Sequence, residues 1–285
     1  MPKLSVIILT YNSIKFIKSC LNSVFIQDYQ DFEAIVVDNG SIDHTLSLIR
    51  EDYPIVRLIE NKMNFGAAKA RNQGIEAAKG DWVLTLDSDV VLEKGFLEGM
   101  IKFAKASEES VGMFQPKIMQ VDKKKIYSCG IYLSKSRRFY DIGSGRFDNG
   151  KFDKTGYIFG PCSAAALYKR QMLEEIKENT GYFDERFFFL VEDVDLAWRA
   201  QRKRWKAKFY PQAICYHHGN SSNIDKKIRQ YFCFRNRYYS IAKNEGLINY
   251  FKKFFLLLSY DFPRLLYLFF TNKHTLKKIR KAGSP

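Results

Sequence analysis

No apolar run in these 285 residues reaches the roughly 20 residues that a membrane-spanning helix needs, which argues against a simple span. Metal-type cysteine spacing is missing as well. Cys20, Cys129, Cys162, Cys215 and Cys233 are scattered and odd in number, which suits reduced thiols in a cytosolic setting. No Gly-x-Gly-x-x-Gly follows the first apolar run, so the dinucleotide fingerprint is absent. A Gly-Lys-Ser/Thr phosphate loop is also absent, and with it the basic or glycine-rich triphosphate loop that a nucleotidyltransferase usually wants. The opening residues, MPKLSVIILTYN, carry no small-residue cleavage site and read as a buried strand rather than a signal peptide.

Apolar residues make up 46% of the chain, enough for a sizeable core and against wholesale disorder. The length suits one large domain, or one domain with an appendage. The net charge of +15 is unevenly placed. From Ser222 to Pro285 there are 14 Lys and Arg against 3 Asp and Glu, so most of the excess belongs to the last quarter of the chain.

The first part alternates. Leu4 to Thr10 is a continuous apolar run that suits a strand buried on both faces. Ser13 is placed to cap a helix through about Phe25. Phe32 to Val37 reads as a second strand, and Asp43 as the cap of a helix over Thr45 to Glu51. A third strand over Ile55 to Ile59 leads to an Ala-rich helix, Ala67 to Ala78. The fourth strand is Trp82 to Leu86, inside GDWVLTLDSDVV. Four such alternations predict a doubly wound α/β sheet with the polar loops after the strands on one edge. Two acids one residue apart, Asp87 and Asp89, end the fourth strand. A buried strand excludes them from its body, but the carboxyl edge of an open sheet accepts them and offers hard oxygen ligands to a divalent cation.

The second part changes rhythm. Strands or hairpins are predicted over Val111 to Val121, Lys125 to Leu133, Arg137 to Gly145 and Tyr157 to Tyr168. A short helix is predicted over Lys169 to Lys177, and acids at Glu192, Asp193 and Asp195 mark a helix start. Lys206 to Tyr216 reads as a last strand, followed by His217 and His218.

Six stretches in this order resemble the family 2 glycosyltransferases of GT-A fold. They are SVIILTYN (Ser5 to Asn12), VVDNGSID (Val36 to Asp43), NFGAAKARNQGI (Asn64 to Ile75), LDSDV (Leu86 to Val90), FDERFFFLVEDVDLAWR (Phe183 to Arg199) and CYHHGNSS (Cys215 to Ser222). The last two look most like the rhamnosyltransferase-type branch. The helix motif instead resembles general polysaccharide glycosyltransferases. The resemblance implies a nucleotide-binding half over residues 1–92, an acceptor-binding half over 93–222, and a mixed sheet. It also implies an inverting transfer from a UDP- or dTDP-type sugar to a hydroxyl of a glycan or lipid-linked acceptor in cell-surface polysaccharide synthesis.

By the same resemblance, Thr10, Tyr11 and Asn12 meet the nucleotide, and the Asp38 carboxylate accepts from the imide N–H of the base. The plain alternative for Asp38 is a strand-end turn. Arg71 reaches the base or a phosphate, or else sits on a solvated helix face. Asp87 meets the ribose or the metal shell, and Asp89 binds Mn²⁺ or Mg²⁺. His217 completes that shell, with His218 as the alternative, and an imidazole leans the choice towards Mn²⁺. Asp193 is the general base, with Glu192 able to exchange roles. Asp195 reads as a helix-start acid. Gly160 and Trp198 are placed on the acceptor side, although Trp198 suits the core better than a sugar platform.

Residues 223–285 form a basic, aromatic, helical region. Its apolar stretch, Phe254 to Phe270, is broken on paper by Asp261, Pro263 and Arg264, which predicts interfacial or re-entrant helices on an anionic membrane surface. The expected location is the inner face of the cell membrane, peripheral and cytoplasmic. Packing on the catalytic domain or on a second copy in a homo-oligomer is the alternative for the region. A rival reading, nucleic-acid binding by the same tail, leaves the five cleft acids unexplained, so no nucleic-acid partner is expected.

Overall fold

A computed structural model describes residues 2–219 and 224–271. The opening apolar run forms β1 (Leu4–Thr10), and it is buried on both faces because neighbours flank it within the sheet and helices cover both sides. Its side chains alternate: Val6 and Ile8 enter one core, Ile7 the other. There follow α1 (Ile17–Phe25), β2 (Phe32–Asp38), α2 (Thr45–Asp52), β3 (Arg57–Glu60), α3 (Ala67–Ala77) and β4 (Trp82–Asp87). The second part supplies β5 (Val90–Leu92), α4 (Phe96–Ala106), β6 (Val111–Gln120), β7 (Ile126–Ser128), β8 (Ile131–Leu133) and β9 (Phe139–Asp141). Next come β10 (Gly156–Ile158), β11 (Ala165–Lys169), α5 (Arg170–Ile176), a 3-10 turn over Glu185–Phe187, α6 (Glu192–Arg202) and β12 (Lys206–His217).

The main sheet runs β10-β12-β6-β11-β4-β1-β2-β3, with β5 on β12 and β7 on β6. β1 is parallel to both β2 and β4, whereas β11 is antiparallel to β4 and β6, so the sheet is mixed. Helices α1, α2 and α4 cover one face, and α3, α5 and α6 the other. This is the α/β layering that the alternation predicts. Chain order reverses between β1 and β4, and their carboxyl ends are in register, Leu9 opposite Asp87. Open sheets place ligands at such a switch point.

Local expectations shift in instructive ways. Ser13 does not cap α1; its hydroxyl bonds the Tyr11 carbonyl and the Ser88 hydroxyl, because the loops after β1 and β4 converge there. Asp43 does support the start of α2, accepting from the Thr45 N–H and hydroxyl. It also accepts from the Ile14 N–H, which joins the first two loops. The run Lys125 to Leu133 divides into β7 and β8 at Gly130, whose φ of 105° ordinary residues avoid. Tyr157 to Tyr168 divides at Gly160-Pro161.

The C-terminal region is helical: α7 (Lys226–Asn244), α8 (Leu247–Lys252) and α9 (Phe254–Thr271). Asp225 caps α7 through the Lys227 and Ile228 N–H groups. Helix α7 packs on the domain, where Lys243 pairs with Asp184 and Asp195, and Asn244 donates to Asp195. The apolar stretch is interrupted in composition by Asp261, Pro263 and Arg264, yet it forms one helix, α9, that continues through Pro263. One proline removes a single helical hydrogen bond. Asp261 is buried against Arg237, so it is neutralised within the fold rather than ending the helix. The expected boundary at 222/223 and the end of the CYHHGNSS stretch lie outside the described residues, as does the tail beyond Thr271.

Candidate functional site

The loop after β4 is pinned at the switch point. The Asp87 N–H donates to the Ala164 carbonyl and the Ser88 N–H to the Leu9 carbonyl. Pairing of β5 with β12 sets His217 opposite Val90, which carries the far end of the chain to this loop. His217 Nε2 then lies 3.0 Å from Asp89 Oδ1, both residues buried. Asp87, Asp89 and His217 each offer a ligand atom within 4.8 Å of the others. Two carboxylates and an imidazole fit a divalent ion, and the nitrogen favours Mn²⁺ over the all-oxygen shell that Mg²⁺ prefers. The buried Nδ1 of His217 has no hydrogen-bond partner, and the Tyr127 ring meets the imidazole edge-on at 4.2 Å. Burial works to lower the His217 pKa, but the hydrogen bond and charge of Asp89, helped by Asp87 and Asp141, outweigh it and raise the value.

Across the cleft, Arg71 of α3 is buried and bridges two elements. Its Nη2 lies 2.8 Å from Asp87 Oδ1 and its Nη1 2.6 Å from Glu192 Oε1. Glu192 begins α6, and burial pushes its carboxyl up to about 7, with Arg71 opposing and Asp193 assisting. Its Oε2 is buried without a hydrogen-bond partner. Burial also raises Asp193, again against the pull of Arg71. Asp193 is partly open to the cleft, where it accepts from the Ser163 N–H at 3.3 Å and the Val194 N–H at 2.8 Å. The two neighbours therefore share a field that disfavours double ionisation, which suits a group that must take up a proton near neutral pH.

Tyr11, Arg71, Asp87, Asp89, Glu192, Asp193 and His217 all line one cleft of about 380 Å³. Other expected residues fall elsewhere. Thr10 is buried, with its carbonyl bonded to the Asn39 N–H. Asn12 braces the next loop by accepting from the Ile42 N–H. Asp38 is fully buried, and its oxygens accept from the Gly40 and Ser41 N–H groups and the Ser41 hydroxyl. Its carboxylate closes a turn and leaves the cleft wall to Asn39. Arg71 is not on a solvated helix face: it lines the cleft, where two carboxylates hold it inside the fold. His218 is exposed, its ring against Phe16, so it does not replace His217. Asp195 is more than a helix-start acid, since it receives Arg199, Lys243 and Asn244.

Neither of the two residues expected on the acceptor side lines the cleft, and Trp198 is buried, as its core reading has it. Gly160 is absent from the cleft wall; a Cβ there would lie 2.3 Å from that of Ala197, so glycine permits α6 to approach. Trp198 packs edge-on to Phe159 and under the Arg137 guanidinium, away from the cleft. Residues that sequence reasoning missed include Asp141, which burial raises to about 6, and Arg229 of α7, whose shielded Nε has no partner. No local sequence pattern marks either of them out.

A mixed sheet with an acidic, metal-competent group at its switch point, facing raised carboxylates at a helix start, defines a GT-A glycosyltransferase architecture. A family model described as glycosyl transferase family 2 matches residues 5–177, and the chain belongs to that family. The uncharacterized glycosyltransferase YfnE of Bacillus subtilis is 31% identical over 197 residues, covering 67% of this chain and 44% of that protein. The poly-beta-1,6-N-acetyl-D-glucosamine synthase of Staphylococcus epidermidis is 25% identical over 229 residues, covering 75% and 49%. The chain thus spans under half the length of these curated relatives. Among solved structures, the mannosyltransferase PcManGT of Pyrobaculum calidifontis, in complex with GDP-Man and Mn²⁺, superposes with a TM-score of 0.61 at 20% identity. That match covers 87% of this chain and 67% of that one. Residues 1–349 of TarS from S. aureus superpose at 0.57 with 22% identity, covering 86% and 67%.

Replacing Arg71 by alanine strands two carboxylates. Breaking such a buried pair costs about 3 kcal/mol or more, and the low end applies here because Asp87 is partly open to water. The sign with pH follows from Glu192. Its raised folded value means that the protonated form is favoured in the fold, and more so without Arg71. The stability deficit of the variant is therefore largest above pH 7 and shrinks as pH falls towards 5. Urea denaturation at both pH values checks this; a deficit that grows on acidification contradicts it.

Proposed function

We propose that the chain is an inverting glycosyltransferase that moves a sugar from a nucleotide-diphosphate donor, of UDP or dTDP type, to an acceptor hydroxyl. The observation that carries this reading is the convergence of Asp87, Asp89 and His217 with Glu192 and Asp193 in one cleft. The donor occupies the side built by residues 1–92, near Tyr11, Asn39 and Asp87. The acceptor, a glycan or lipid-linked saccharide of a cell-surface polysaccharide, enters from the side built by residues 93–222.

Asp87, Asp89 and His217 would hold Mn²⁺ or Mg²⁺, which when bound supplies positive charge for the departing diphosphate. Asp193 takes the acceptor hydroxyl's proton as that oxygen attacks the anomeric carbon and the bond to the diphosphate oxygen breaks. One carboxylate suffices, because inversion needs no covalent intermediate on the protein. Glu192 holds Arg71 in place, and burial supplies the raised proton affinity of Asp193. Asp38 serves the donor side indirectly, by fixing the turn that presents Asn39.

Thermal melting with UDP, dTDP, GDP and CMP, each with and without Mn²⁺, tests the reading. UDP or dTDP is expected to raise the melting temperature only with Mn²⁺, and Asp89→Ala to abolish the shift. No nucleotide effect with Mn²⁺ would contradict it.

The same reading places the protein at the inner membrane face through its C-terminal region. Helix α9 is mostly apolar, with Asp261 and Arg264 as its charged residues: Leu257, Asp261 and Leu268 are buried, whereas Phe255 and Phe270 are 83% and 74% exposed. Among the described residues no helix is long and apolar enough to cross a membrane. An apolar surface flanked by Lys252 and Lys253, with more basic residues beyond it in sequence, suits insertion among anionic head groups. Flotation with phosphatidylglycerol vesicles should recover the protein. The double variant Phe255→Asp, Phe270→Asp should stay behind with its melting temperature unchanged; equal flotation of the variant would rule the surface out.

A further inference from the structure

The segment before α6 is strained. Phe188, Leu190 and Val191 have φ values of 65°, 67° and 74°, three left-handed non-glycine residues within four positions. Val191 is β-branched, the side-chain class least suited to that region. Such conformations persist only where surroundings impose them. The next two residues are Glu192 and Asp193, so the direction of these carboxylates depends on the strained segment.

The imposing contacts come from two sides. From α3, the Ala68 N–H donates to the Phe188 carbonyl at 3.3 Å. From α7, the side chain of Asn236 is completely buried, and its Nδ2 lies 2.9, 2.9 and 2.7 Å from the carbonyls of Phe187, Phe189 and Leu190. Its neighbour Arg235 donates to the Arg186 carbonyl at 2.6 Å. Three carbonyls converging on one amide nitrogen demand a donor at that point, which an acid or an apolar group of the same size cannot supply.

We propose that Asn236 is a positioning residue for the reaction: it clamps residues 187–190 from the C-terminal region and thereby aims Glu192 and Asp193 into the cleft. The role in catalysis rests on the transferase reading; the clamp itself does not. On this account α7 is part of the active-site architecture, and the C-terminal region contributes more than a surface for attachment.

Two variants of the full chain test it. Asn236→Ala removes the donor and the volume; Asn236→Leu removes the donor and keeps the volume. Hydrogen–deuterium exchange over residues 186–196 should accelerate about tenfold or more in both, with β4 and β12 unchanged. With UDP-glucose, UDP-N-acetylglucosamine and dTDP-rhamnose as donor probes and Mn²⁺ present, kcat should fall about tenfold or more. The KM for the donor should stay within about twofold. Wild-type exchange in either folded variant overturns the clamp. So does acceleration spread evenly over the domain, which would mark a general structural role. Local acceleration with unchanged kcat overturns the positioning role. If the wild type turns over none of the donors, the transferase reading is in trouble, and the exchange data still decide the clamp.

Discussion

The bridge from Asp87 through Arg71 to Glu192 is the interaction on which the cleft depends. It joins residues 121 apart in sequence, and it ties the end of β4 to the start of α6. A guanidinium stays charged at any working pH and presents its donors in a fixed fork, so it fixes direction as well as charge. One arm orients Asp87 beside Asp89 and His217. The other holds Glu192, whose burial would otherwise be uncompensated. The metal-competent group and the Glu192–Asp193 pair thus have a set spacing before any ligand arrives, which is what a preorganised site requires.

The same logic extends outward. Glu192 and Asp193 follow a backbone segment held in left-handed conformations, and α3 and α7 grip that segment from opposite sides. Helix α7 is itself anchored by Lys243 and Asn244 on Asp184 and Asp195, a buried network in which the acids have cationic or amide partners. Burial would raise Asp184, but Arg186 and Lys243 hold it well below the usual carboxylate range. Composition sets the C-terminal region apart as a basic tail, yet its first helix, α7, packs on the segment that leads to Glu192 and Asp193. Helices α8 and α9 leave apolar side chains such as Phe251, Phe255 and Phe270 exposed.

What the sequence made legible was local. Continuous apolar runs identified β1, β2 and β4, since burial on both faces leaves no alternation to hide them. Asp-Ser-Asp at a strand end and a histidine after a late strand pointed to the group that β5–β12 pairing brings together. What escaped was decided over distance. Asp38 closes a local turn, as its strand-end alternative has it, but the cleft position of the adjacent Asn39 rests on distant partners, Asn64 and Gly66. Arg71 gave no sign of burial, because its two partners lie in other elements. Gly160 and Trp198 sit within motif-like stretches but answer to the packing of α6. Asp261 interrupts the apolar run in sequence, but its partner Arg237 in α7, 24 residues away, could not be read there.

The central claim is that Asp193 accepts the proton in a transfer whose donor is held by the opposite wall. The most direct measurement is single-turnover release of nucleotide diphosphate by Asp193→Asn, beside nucleotide affinity in the presence of Mn²⁺. The account predicts unchanged affinity and a rate lower by about 10²–10⁴-fold, the usual contribution of a positioned base. A variant that transfers at the wild-type rate would contradict it.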